Sequence, residues 1–126
     1  MSPLVGLTNL SWLYLTDNSI TDISPLSSLT NLWGLGIGGN NVGDFTPLVS
    51  LPNLNYLSVA NSNITDVSFF ATLTTLTDLD LSGNSISNVN LLLSLPNLYS
   101  LNLCNTGVSD PGTLVSFTNL LYLGLC

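Results

Sequence analysis

The chain has 126 residues, 45% of them hydrophobic; its charged side chains are seven aspartates with no lysine, arginine, histidine or glutamate, giving a formal net charge of −7. That length suits one domain with an ordinary core. Lacking any side-chain cation to displace counterions from phosphates, the sequence argues against nucleic acid, anionic membranes and phosphorylated substrates as partners, and no apolar run approaches the roughly 18 residues of a membrane-spanning helix.

The opening residues Met1 to Gly6 show neither the basic start nor the long apolar segment of a secretion signal. From Leu7 the stretch LTNLSWLYLTDNSITDISPLSS runs to Ser28, then recurs every 22 residues without insertion, restarting at Leu29, Leu51, Leu73, Leu95 and Phe117. A fixed period of this size marks a stacked array of coils. Counted from Leu10 as position zero, apolar residues fall at positions 0, 3, 5, 10, 13, 16 and 19. The spacing of two predicts a short strand in each coil around Leu13 and Leu15, Leu35 and Ile37, Leu57 and Val59, Leu79 and Leu81, Leu101 and Leu103, and Leu123 and Leu125. The spacing of three that follows predicts a turn and a tight helical or extended return. One coil cannot bury its own apolar edge, so the expected fold is a solenoid of the α/β class. It has a parallel sheet on the concave face and short returns on the convex face, with strands about 4.8 Å apart and a rod on the order of 30 Å long. It comprises residues 1–126, five full repeats from Leu10 flanked by partial coils.

Polar positions recur as well. Position 8 holds Asn18, Asn40, Ser62, Asn84 and Thr106, where a side-chain amide can satisfy backbone groups left unpaired as the chain leaves the sheet; the ladder should be weaker at Ser62 and Thr106. Position 14 holds Ser2, Ser24, Thr46, Ser68, Asn90 and Gly112, expected as helix N-caps and followed in the first three coils by Pro3, Pro25 and Pro47. Asp22, Asp44, Asp66 and Asp110 precede these caps, and Pro111 predicts a distorted last return. Together the residues spell L-x-x-L-x-L-x-x-N-x-I-x-D-I-x-P-L, which resembles the leucine-rich repeat family and, within it, the 22-residue class of bacterial internalins. The resemblance covers essentially the whole chain. It implies a binding surface whose partner is set by the variable positions.

Those positions alternate with the core leucines. They give a face that is aromatic at one end (Trp12, Tyr14, with Trp33 beside them, and Tyr56), bare at Gly34, Gly36 and Gly38, and acidic in the middle at Asp78 and Asp80; Tyr99, Asn102 and Tyr122 complete it. Exposed rings with a few polar groups suit a protein or glycan partner. Paired carboxylates serve in glycoside hydrolysis, but no histidine or lysine base, no cation for an oxyanion and no Gly-rich phosphate loop accompanies them, so no enzyme and no cofactor is expected. Asp78 and Asp80 with Asn102 offer oxygen ligands for Ca²⁺ or stand as a solvated acidic patch, and the patch is the expectation. Cys104 and Cys126 are one period apart and either form a disulfide or stand as free thiols in a ladder. Asn9 and Asn63 begin glycosylation sequons, and with a disulfide they would indicate an extracellular or cell-surface location.

The chain begins midway through a return and stops after a strand, with six residues of the repeat between one end and the next start. Two expectations follow. The chain self-associates head to tail into a fibre or array, or it is a fragment of an internalin-like adhesin or receptor that binds on its aromatic face.

Overall fold

A computed structural model describes residues 2–108 and 110–126. Six three-residue strands are spaced one repeat apart: β1 (Trp12–Tyr14), β2 (Gly34–Gly36), β3 (Tyr56–Ser58), β4 (Asp78–Asp80), β5 (Ser100–Asn102) and β6 (Tyr122–Gly124). They form one open parallel sheet in sequence order. The register follows the repeat without slip, so Leu13, Leu35, Leu57, Leu79, Leu101 and Leu123 are successive partners. A slip of one residue would turn every leucine out to solvent, which is why the pattern fixes the register so firmly.

The return of each coil is a short 3-10 segment: Ser2–Leu4, Ser24–Ser28, Thr46–Ser50, Phe70–Thr72 and Val89–Ser94. The last, Pro111–Leu114, is a single α-turn instead. Apolar side chains from strands and returns meet between the two layers. Leu35, Leu57, Leu76, Leu81 and Leu101 have no measurable exposure there, while Leu10, Leu13, Leu15, Leu120 and Leu123 in the outer coils are only partly buried. On the return side Phe70 takes the slot that is Leu26, Leu48 and Leu92 in other coils, and its ring packs 5.1 Å from Phe45 and 5.7 Å from Phe69.

The polar ladder forms as the pattern predicts. The Asn84 amide donates to the carbonyls of Val59 and Leu81 at 2.9 and 2.8 Å and accepts the Ser62 and Ile64 N–H groups at 3.0 and 2.9 Å. Asn40 does the same for Leu15, Ile37 and Ile20. Ser62 and Thr106 each donate one bond, to Ala60 and Leu103.

The caps differ from expectation. Ser24, Thr46 and Ser68 do not cap the returns with their side chains; the carboxylate two residues earlier does the work. Asp22 accepts the Ser24 N–H at 2.8 Å, Asp44 that of Thr46 at 2.8 Å, Asp66 that of Ser68 at 2.9 Å and Asp110 that of Gly112 at 2.9 Å. These are Asx turns, which a charged acceptor one bond longer than serine completes without helical geometry.

Candidate binding face

Alternation sends strand side chains on either side of each core leucine to the opposite face of the sheet. The register lines them up in two rows: Trp12, Gly34, Tyr56, Asp78, Ser100, Tyr122, and Tyr14, Gly36, Ser58, Asp80, Asn102, Gly124.

The second coil is not bare. Gly34 and Gly36 are buried because the neighbouring rings lie across them. A Cβ at Gly34 would run into the Trp12 indole, and one at Gly36 would come within 2.6 Å of the Tyr14 ring. Both positions must lack a side chain for the rings to keep this seat. With no side chain to hold it off, Trp12 spans β2 and reaches Tyr56 two strands away, with ring centroids 5.4 Å apart. It also lies 4.9 Å from Trp33 and 6.0 Å from Tyr14. These separations are those of favourable ring contacts, and the four rings form a continuous floor. Its upper surface stays open: Trp12 is 42% exposed, Tyr14 63% and Trp33 38%.

Next to this floor, β4 places Asp78 in register with Tyr56 and Asp80 in register with Ser58. Both are half-buried. Asp78 accepts the Thr77 hydroxyl at 2.8 Å; Asp80 accepts the Ser82 N–H at 3.0 Å and the Ser58 hydroxyl at 3.4 Å. Burial of Tyr56, with Tyr14 and the charges of Asp80 and Asp78 nearby, raises its phenol above the ordinary value. Beyond the acids, Tyr99 and Tyr122 are 41% and 57% exposed. Asn102 lies against Gly124 and accepts the Cys104 N–H at 3.1 Å, so its oxygen is already engaged. Among the described residues no group of three or more histidine, cysteine, aspartate or glutamate side chains could hold a metal.

Cys104 and Cys126 are joined in a disulfide, with Cα atoms 4.4 Å apart. Asn9 and Asn63 are both exposed. In three other coils the amide equivalent to Asn9 ties the coil to the one before, Asn31 to Thr8, Asn53 to Thr30 and Asn97 to Thr74.

Superposed on solved structures, the chain aligns over 99% of its length with an internalin (inlF) of Listeria monocytogenes, at a TM-score of 0.82 and 31% identity. It aligns over its full length with internalin C2 (inlC2) of the same species, at 0.83 and 37%. The chain is a leucine-rich repeat solenoid. A leucine-rich repeat protein of Leptospira interrogans shares the solenoid's fold over 99% of its length at a TM-score of 0.84, with 23% identity. The solenoid spans 37%, 56% and 33% of those three chains. No protein-family model matches the sequence, and no curated protein does. The neighbours support a protein-interaction repeat domain, and the face described above offers contact chemistry: rings, hydroxyls and carboxylates.

Proposed function

We propose that the solenoid is a non-catalytic recognition module that acts outside the cytosol and holds its partner on the sheet face. The contact core is Trp12, Tyr14, Trp33 and Tyr56, extended by Asp78, Asp80, Asn102, Tyr99 and Tyr122. The observation that carries this reading is the open four-ring floor. Large rings that remain exposed after packing on one another bury much area at small entropy cost when a partner arrives, which is how binding hot spots are built. The disulfide supports an oxidising compartment, and glycans at the exposed Asn9 and Asn63 would agree with it.

Head-to-tail fibre growth is the less favoured reading. An unbroken 22-residue phase also serves continuation within one longer polypeptide, and the solved neighbours are longer chains of which this solenoid covers 33 to 56%.

The test is binding of the labelled chain to arrays of immobilised glycans and cell-surface proteins. Trp12→Ala with Tyr56→Ala should weaken the interaction by about 100-fold. Val49→Ser on the convex side, where Val49 is 63% exposed, should leave it unchanged. Binding that survives loss of the rings would contradict the proposal.

A further inference from the structure

The recognition reading leaves the partner's chemistry open, and the distribution of charge narrows it. Asp22, Asp44, Asp66 and Asp110 each accept a backbone N–H where a return begins. Asp17 sits in the turn after β1, with φ 56°. Only Asp78 and Asp80 of the seven aspartates lie on the sheet face, on one strand directly beside Tyr56. The chain has no lysine, arginine or histidine to neutralise them. A carboxylate has about four acceptor sites; Asp78 receives one side-chain hydrogen bond and Asp80 two bonds in all. Negative charge and open ring faces therefore adjoin on the same patch, with Asp78 in register with Tyr56 on the neighbouring strand.

We propose that the occupant of this face is an arginine-bearing basic segment of a protein partner, with a guanidinium stacked on the Trp12 and Tyr56 rings and donating to Asp78 and Asp80. Among side chains, arginine combines a flat cation that stacks on aromatic faces with a fork of donors that matches a carboxylate. A neutral glycan could donate hydroxyls to the acids but brings no charge to pair with them, and an anionic one would be repelled by the −7 chain. The proposal rests on the recognition reading above.

Both tryptophans, Trp12 and Trp33, lie in the floor, so intrinsic fluorescence reports occupancy directly. The probes are a capped octapeptide of alternating arginine and glycine, the same peptide with neutral citrulline for arginine, and chitohexaose as a neutral glycan. The arginine peptide should change the tryptophan emission saturably, and binding should weaken as salt is raised. The citrulline peptide should bind about tenfold more weakly or worse. Asp78→Asn with Asp80→Asn should cost about tenfold or more, whereas Asp44→Asn with Asp66→Asn, which makes the same change in net charge on the far side and keeps an acceptor in each turn, should cost little.

Equal losses in the two double variants would show attraction to bulk charge, and equal binding of the citrulline peptide would remove the cation; either overturns the proposal, as does failure of the arginine peptide to bind. If chitohexaose binds and depends on Trp12 but not on Asp78 and Asp80, the basic-partner inference falls while recognition by the face stands. If the arginine peptide binds equally well to the Trp12→Ala variant, followed by the remaining Trp33, the reading of the aromatic floor falls too.

Discussion

At Asn84 one side chain closes five hydrogen bonds between the strand of its own coil and the turn of the coil before. It is 2% exposed, so water cannot substitute for it. Asn84→Ala should therefore cost about 3–5 kcal/mol by denaturant unfolding, since several buried donors and acceptors lose their partners together. Asn18→Ala, at an exposed site with two bonds, should cost about 1 kcal/mol or less. The asparagine ladder was legible because its period is that of the leucines. Two other residue-scale features were not. The residue before the ladder is left-handed in every coil, at Asp17, Gly39, Asn61, Gly83 and Asn105, and its alternation of aspartate, glycine and asparagine hides one backbone requirement under three residue types. Where Ser62 or Thr106 replaces asparagine, the next residue, Asn63 or Gly107, is left-handed as well. The second hidden feature is the ring-over-glycine packing, whose signal is a glycine one period after a large ring, at Trp12 and Gly34 and at Tyr14 and Gly36. Gly34→Val should expel the Trp12 indole from its seat and shift tryptophan emission to the red, with the far-ultraviolet circular dichroism retained. Unchanged emission would count against that packing.

Among elements, the returns depend on aspartates that lie just outside them. The backbone N–H of Ser24, then its hydroxyl, hold the Asp22 carboxyl below its ordinary value, and Ser68 does the same for Asp66 with help from Asn88. A depressed folded-state pKa contributes stability that is fully present above the unfolded value, 3.8, and is lost as pH falls through the lower folded value. Melting temperature followed from about pH 5 down to about pH 2 should thus fall more steeply for the native chain than for an Asp22→Asn, Asp66→Asn variant, whose turns no longer titrate. Parallel curves would show that these carboxylates do not drive acid unfolding. The spacing of two and then three was enough to read strand and return from sequence, but it could not say which polar residue starts the return. A serine before proline and an aspartate two positions ahead of it are both good turn formers; the length of the side chain decides, and only geometry reveals it.

For the whole molecule, stacking makes each coil depend on its neighbours alone. Cys104–Cys126 ties the sixth strand to the fifth across one period. Replacing both cysteines by serine should speed amide hydrogen exchange in residues 120–126 and leave residues 32–103 close to native, because the central coils keep every contact. Uniform acceleration would indicate a single cooperative unit. The periodicity thus made the solenoid and its register readable in advance. The binding face was readable only as a set of residues, since its continuity comes from side chains leaning across a strand that has none. If residues one period apart form a shared contact surface, hydrogen exchange with and without the saturating partner will show it. New protection should appear in separate segments near residues 12–16, 34–38, 56–60 and 78–82, one repeat of 22 residues apart. Protection in one continuous stretch, or along the returns at residues 46–50 and 89–94, would contradict it.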